Sequence, residues 1–341
     1  MSDLLMNQLS FDNFFIQEPE SNSWTNNLEL FDAIPKFSYH RIRKNKNPEI
    51  LTRSFKHRGQ GFEIKLIPAL IEDKEGNTWS CHSGRREELV LEALKYLAAQ
   101  QLAPVSQTRT LIENSQHASS VSTNYVQVVF TLHQLRKELQ RSGHGYKWSE
   151  INEALQILGR SVIKIKSDKY WSEGAIIESQ LGVDDDEGKR KVVFHPLASY
   201  AIISDSTRLL RYDNLMSIKS PIASWIFKKL CHFVTNAQDP TMFKQGIGLK
   251  FTYEEVYQES GAQKLSAKKL DYRAIRNALK ELKSKGILFN GEAEISPSWF
   301  EDLAKQEWIA IPSNKTVSDI ITANKQNLKP QEKLQAMMET R

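Results

Sequence analysis

Two stretches of the chain, 121 residues apart, run through the same series of local signals, and this repeat restricts the fold more than any other feature. Phe130-Thr131-Leu132 opens the first stretch and Phe251-Thr252-Tyr253 the second. In each, the Thr is a natural helix N-cap, and Gln134 or Glu255 three residues later completes a capping box. A short helix is expected next, carried by Leu132, Leu135 and Leu139 in the first copy and anchored by Val256 in the second. Polar turns follow at 141–145 and 259–262. A longer amphipathic helix then buries Ile151, Ala154, Leu155 and Leu158 in the first copy, and Leu270, Ala274, Ala278, Leu279 and Leu282 in the second. Each long helix leads into a β-rich run. In the first copy this is 161–166 with a return through 175–177; in the second, 286–289 precedes Asn290-Gly291, a favoured two-residue hairpin turn. A preceding helix is available to both copies. Leu89, Val90, Ala93, Leu94 and Leu97 recur at helical spacing behind Ser83, and Ser220-Pro221 caps a stretch bearing Ile222, Trp225, Ile226, Leu230 and Phe233. Helix, turn, helix and hairpin is the winged-helix layout, so the expected fold is α+β, two tandem winged-helix (helix-turn-helix plus β-wing) domains with flexible N- and C-terminal arms.

The 341 residues suit two domains, because single cores rarely grow past roughly 250 residues. The expected division is an acidic then basic flexible arm at 1–58, a first winged-helix domain at 59–204, a second at 205–311, and a C-terminal tail at 312–341. Within the first domain, residues 62–67 alternate apolar with polar, Glu75-Gly76-Asn77 supplies a turn, and 78–80 returns, which reads as a hairpin. Residues 103–124 are rich in Ser, Thr and Gln and read as a long loop.

Charge is clustered rather than large overall. Residues 1–35 carry six acids and no Lys or Arg, while 36–58 carry eight bases against Glu49 alone. Residues 264–285 carry eight bases against Asp271 and Glu281. Such clusters match a polyanionic partner, although a run of charge is also what any solvated face looks like. On the second long helix, Lys269, Arg273, Arg276 and Lys280 fall three or four residues apart, with Tyr272 and Asn277 beside them. Lys and Arg suit phosphates and guanine edges, and Asn can pair with adenine. The first long helix presents Lys147, Ser149, Asn152, Glu153, Gln156 and Arg160, a more neutral face suited to reading base edges. Lys189, Arg190 and Lys191 add a basic wing, with the acids of 184–187 directly before them.

Signals for catalysis are missing from the sequence. No two of the eight histidines are separated by a single residue, as a metal-dependent nicking site would need, and no Gly-x-x-x-x-Gly-Lys phosphate loop occurs. Cys81 and Cys231 form no close pair, which argues against a zinc site or a disulfide framework. The expectation is a protein that is not an enzyme, with no cofactor and no metal, in a reducing cytoplasm. No apolar run approaches the length of a membrane helix, and no signal-peptide layout begins the chain.

Residues 128–139 (VVFTLHQLRKEL), 148–168 (WSEINEALQILGRSVIKIKSD), 211–230 (RYDNLMSIKSPIASWIFKKL) and 272–288 (YRAIRNALKELKSKGIL) resemble the plasmid replication initiators of the RepE, RepA and TrfA type, and the TrfA-like members most. The resemblance runs from about Phe62 to Asn290. It implies binding of double-stranded DNA at repeated origin sites (iterons), opening of an AT-rich segment, recruitment of a host initiator and helicase, and plasmid copy control. It also implies a homodimer formed through the first domain. TrfA-like proteins carry a Gln-Leu-Ser-Leu-Phe motif that docks on the bacterial sliding clamp. Gln8-Leu9-Ser10-Phe11 approximates it without one Leu, and Leu28-Glu29-Leu30-Phe31 approximates it with Asn27 in place of Gln. The same apolar residues could instead pack on the protein's own surface. A tandem winged-helix transcription regulator fits the same residues, since both kinds of protein read duplex DNA.

Overall fold

The computed structural model describes residues 30–39, 49–57, 60–72, 75–102, 126–168, 171–182, 188–195, 197–199, 208–235, 248–289 and 298–320. Within these, the repeat takes physical form. The first unit begins with α2 (Arg85–Leu102), which follows the short helix α1 (Leu30–Ala33) and strands described below. It continues through β5 (Gln127–Thr131), α3 (Leu132–Arg141) and α4 (Trp148–Arg160), and ends in β8 (Ile177–Gly182) and β9 (Lys189–Phe194). Its sheet has the order β5-β9-β8. A linker helix, α5 (Arg208–Ser217), leads to the second unit: α6 (Pro221–Thr235), β10 (Leu249–Thr252), α7 (Tyr253–Glu259), α8 (Lys268–Ser284), β11 (Trp299–Asp302) and β12 (Glu307–Ala310). Its sheet has the order β10-β12-β11, the same arrangement, with the last strand in the centre. Three helices and a three-stranded antiparallel sheet ending in a hairpin define a winged helix, and the chain contains it twice.

The matching capping signals fold alike. Thr131 Oγ1 accepts from the Gln134 N–H at 3.1 Å, and Gln134 Oε1 accepts from the Thr131 N–H at 2.8 Å. Thr252 and Glu255 exchange the same two bonds at 3.2 and 2.7 Å. The following turns each place a glycine at positive φ, Gly143 at 87° and Gly261 at 75°, a backbone region that costs other residues about 1 kcal/mol or more. The first long helix buries Ile151, Ala154, Leu155 and Leu158 as its spacing predicts. The second differs by one position. Leu270 is exposed, and the buried stripe is Asp271, Ile275, Ala278, Leu279 and Leu282, which follows the 3.6-residue period more closely than 270, 274 and 278 do.

Pairing in the amino-terminal part of the first unit departs from the expected hairpin. Strand β2 (Gln60–Ile67) pairs with β1 (Leu51–His57), in residues expected to belong to a flexible arm. The strand at 78–80 instead belongs to β4 (Thr78–Cys81), which pairs with β3 (Ala69–Glu72). Phe55 and Phe62 face each other across the β1–β2 register with rings stacked at 5.2 Å, and Ile64 and Leu66 continue the inward row. That apolar row is what draws β1 out of the basic arm. The hairpin of β6 (Val162–Lys166) and β7 (Trp171–Ala175) joins them as a four-stranded sheet, β1-β2-β6-β7. Ser83 does not cap α2: its hydroxyl meets Ser161 Oγ at 3.0 Å, and the Gly84 N–H donates to Glu87 instead.

Two large apolar cores, beside a small cluster of Ala69, Ile71 and Ile157, organise the described residues, and the expected boundaries cut through both large ones. Phe31, Ile34, Phe37 and Phe55 belong to the first core, so residues 31–39 and β1 are folded structure and not arm. Tyr212 and Met216 of α5 sit in the first core while Leu215 and Ile218 sit in the second, which makes α5 a shared wall between the units. Val317 and Ile320, expected in the tail, are buried in the second core. The second wing also lies later than expected. Ile287 and Leu288 are buried, Leu288 makes an isolated bridge with Pro312, and the hairpin is β11–β12, turning at 303–306. Asn290 and Gly291 lie outside the described residues.

Candidate nucleic-acid interface

The second long helix, α8, is held to its unit by a carboxylate. Asp271, 1% exposed, accepts from the Tyr253 hydroxyl at 2.7 Å and from the Leu265 N–H at 2.8 Å, so it joins α7, the turn and α8. The other acid of this stretch is also used internally. Glu281 accepts from the Lys219 and Ser220 N–H groups at 2.6 and 3.1 Å, at the start of α6. With both acids turned to structural work, the outer face keeps its bases. Lys269, Arg273, Asn277 and Lys280 are all exposed, with Lys268 and Lys283 extending the row at either end, and Tyr272 is half-buried beside them. Arg276 is different: its guanidinium makes two bonds, 2.8 and 3.0 Å, with the Glu301 carboxylate on β11. The fork geometry ties α8 to its wing and holds the Glu301 carboxyl below its usual range.

The first long helix, α4, has the same kind of tie. Asn152 Oδ1 accepts from Arg190 Nη1 at 2.7 Å, which joins α4 to β9. In β9, Arg190 lies on the inward row with Val192 and Phe194, and its partial burial lowers its pKa. Lys189 and Lys191 lie on the opposite row, so the basic triplet is divided between the two faces of the sheet. Glu150 accepts from the Lys147 N–H at 2.6 Å and closes the first turn of α4. Glu153 pairs with Arg86 at 3.1 Å, and Arg160 donates to the Leu70 carbonyl at 2.9 Å on β3. Lys147, Ser149 and Gln156 are exposed on the outer face of α4. Of the residues expected to contact a ligand, then, Asn152, Arg160, Arg190 and Arg276 have internal partners, while Lys147, Ser149, Gln156, Lys269, Arg273, Asn277 and Lys280 remain presented to solvent.

One exposed residue on this face has no counterpart among the expected contacts. Trp148, 40% exposed at the start of α4, stacks on His133 at 6.3 Å and lies 4.8 Å from the Arg136 guanidinium. An aromatic at a helix start reads as core from its hydrophobicity, and only the placement of α3 beside it reveals the cluster. The basic stretch at 36–58 contributes less than its charge suggests. Lys36 is buried, and Arg53 donates to the carbonyls of Pro35 and Phe37 at 2.8 and 2.7 Å. Lys56 is exposed, and Arg41, Arg43, Lys44, Lys46 and Arg58 lie outside the described residues.

The two apolar motifs of the acidic arm fare differently. Gln8, Leu9, Phe11 and Leu28 lie outside the described residues, and Leu30 is seen only as the start of α1. Phe31 is 1% exposed in the first core, its ring stacked with His195 at 6.1 Å and the Lys36 ammonium 4.2 Å from its centroid. A ring so enclosed is not available to a partner's pocket, so the motif ending at Phe31 is a packing element in this conformation. The acids at 184–187 also lie outside the described residues. Among the described residues no three His, Cys, Asp or Glu are grouped to hold a metal ion, and no helix is long and apolar enough to cross a membrane.

No protein-family model matches the chain, and no curated protein matches it. Among solved structures it is similar to a crystal structure of selenomethionine derivatives of domains 2 and 3 of RctB, at 10% identity and a TM-score of 0.43, over 79% of this chain and 87% of that one. A second crystal structure of RctB domains 2–3 is similar at 10% identity and a TM-score of 0.44, over 83% of this chain and 97% of that one. The assignment of two winged-helix units rests on the strand orders, capped helices and turn geometry of the chain itself.

Proposed function

We propose that the chain is a sequence-specific double-stranded-DNA-binding protein that acts as the replication initiator of a plasmid or similar mobile element. The observation that carries the DNA-binding part is the outer face of α8: four exposed polar or basic side chains, Lys269, Arg273, Asn277 and Lys280, on a helix whose two acids are both occupied elsewhere. A helix of this kind fits the major groove, where Arg and Lys meet phosphates or guanine and Asn meets adenine. The more neutral face of α4, with Ser149 and Gln156, suits base edges, and Lys147 at its start suits a phosphate. Lys189 and Lys191 on β9 add backbone contacts beside it. Two such units in one chain would read two sites on one duplex, which agrees with repeated origin sites. The initiator part, with origin opening, host-protein recruitment and a dimer through the first unit, rests on the resemblance of 128–139, 148–168, 211–230 and 272–288 to plasmid initiators. Docking on the sliding clamp belongs to Gln8, Leu9 and Phe11 in this reading, since Phe31 is enclosed. The protein works by binding, without covalent chemistry of its own.

The test begins with selection of tightly bound duplexes from a random pool by the full chain, followed by footprinting on the replicon that encodes it. The reading expects directly repeated protected sites beside an AT-rich stretch, which becomes reactive to single-strand probes once the protein is bound. Specific sites without any opening favour the transcription regulator, and no duplex preference at all refutes both.

A further inference from the structure

Each helix-turn-helix turn is gripped from behind by a segment that lies outside its own winged-helix unit. In the first unit the turn after α3 meets α5: Arg141 pairs with Asp213 at 3.1 Å, and His144 Nε2 bonds the Met216 carbonyl at 2.8 Å. In the second unit the turn after α7 meets residues 34–39, a strap that comes from the other end of the chain. The Tyr39 N–H donates to the Gly261 carbonyl at 3.2 Å, and a Cβ placed on Gly261 would lie 2.2 Å from the Phe37 carbonyl oxygen. On its other side the strap is fixed to the first unit. Arg53 grips the carbonyls of Pro35 and Phe37, and the Ser38 N–H donates to the Ser83 carbonyl at 2.8 Å.

One carboxylate joins these parts. Glu88 of α2 is 2% exposed and accepts from the Tyr39 hydroxyl at 2.6 Å, from Arg85 at 2.5 Å and from Lys228 of α6 at 2.7 Å. Arg85 also donates to the Ile218 carbonyl, at the junction of α5 and α6. Strap, first unit and second unit therefore converge on one buried anion with three donors. Removing charge from such a centre leaves Lys228 and Arg85 without their counter-ion, so the contact should loosen.

We infer that Glu88, with the strap seated on Gly261, is the positioning centre that fixes α8 relative to α4, and that it thereby determines which separation of two DNA sites the chain accepts. This rests on the DNA-reading function proposed above. None of the residues involved lies on the exposed faces of α4 or α8, so binding to one isolated site should not require them. In a chain with two reading helices, the separation of the bound sites mirrors the separation of the helices.

Two measurements on the full chain separate the positioning role from the DNA-reading role. The first uses free protein with Cys81→Ser and Cys231→Ala, spin-labelled at Gln140→Cys and Lys283→Cys, and reads the distance distribution between the units. Glu88→Gln and Tyr39→Phe should broaden it, and Gly261→Ala, which pushes on the strap from the second unit, should shift or broaden it too. Distributions as narrow and as placed as the parent's in all three variants overturn the proposal. Should Glu88→Gln fail to fold, the other two variants decide. The second measures affinity for a duplex bearing two selected sites at the preferred spacing and with one to five base pairs inserted. The parent should lose tenfold or more on insertion, and the variants should lose less than threefold while binding a single site within twofold of the parent. A retained spacing preference in variants with broadened distances overturns the specificity role. Broadened distances in a chain whose parent binds no duplex refute the DNA-reading function and leave the positioning centre standing.

Discussion

Between pH 6.5 and about 4, acid should destabilise the first unit through a buried histidine. His195 is 1% exposed, stacked on Phe31, with its Nδ1 accepting from the Leu197 N–H at 3.2 Å. Burial, with a smaller contribution from the positive charge of Lys36, lowers its pKa from 6.5 to about 4. The folded chain thus keeps the ring neutral while the unfolded chain takes up a proton between those two values. Stability is therefore lost as the pH falls from 6.5 to about 4 and is unaffected by this group above 6.5. The gap between 6.5 and about 4 amounts to about 3 kcal/mol, a large share of the roughly 5–15 kcal/mol typical of a folded domain. The assay is urea unfolding followed by tryptophan fluorescence at pH 7, 6, 5 and 4.5, on the parent and on His195→Gln. The variant will be less stable at pH 7 because it loses the stacked ring, so the slope with pH is the readout and not the level. Carboxylates contribute equally to both curves, and the parent should fall more steeply below pH 6.5. Parallel curves would refute the assignment of a neutral buried imidazole.

Phe31→Ala removes a fully buried ring from the first core and should cost about 3–5 kcal/mol in chemical denaturation; a cost below about 1 kcal/mol would return Phe31 to a free arm. Asp271→Ala orphans the buried Tyr253 hydroxyl and the part-buried Leu265 N–H, and should cost about 1–3 kcal/mol for the hydroxyl and less for the N–H. Asp271→Asn keeps one of the two acceptor oxygens and should cost less than the Ala variant, and an equal cost in both variants would contradict the hydrogen-bonding account.

The repeat is legible in the sequence because its signals are local. Thr131 with Gln134 and Thr252 with Glu255 are bonds between near neighbours, Gly143 and Gly261 answer a backbone need inside one turn, and Pro221 marks its own helix start. Strand partners were not visible in that way, because pairing is decided between segments far apart in sequence. The inward row of Phe62, Ile64 and Leu66 announced a strand but not that Phe55, inside a basic stretch, would face it. The one-position error on α8 has a different cause. An aspartate in a buried stripe contradicts the apolar pattern, and only Tyr253 and the Leu265 N–H, brought in by the turn, make Asp271 tolerable there. Charge misled for a related reason: Lys36 and Arg53 read as solvated bases, yet Lys36 donates a hydrogen bond to the Phe31 carbonyl of α1 and Arg53 donates to the Pro35 and Phe37 carbonyls of the strap. On the candidate interface the faces of both helices were legible, whereas the internal partners of Asn152, Arg190 and Arg276 required the wing strands to be in place.

The claim that both long helices read duplex DNA is tested most directly by equilibrium binding of the full chain to a selected duplex across a salt series. Parent, Arg273→Ala, Gln156→Ala and the double variant would be compared. Affinity should fall steeply with salt, and each substitution should cost about 1–3 kcal/mol if its side chain meets a base edge or phosphate. The two costs should add, since the residues lie on separate units. Arg273→Ala should also reduce the salt slope by about one if it contacts a phosphate. An affinity nearly constant between low and physiological salt, and unchanged in the folded double variant, would contradict the central claim.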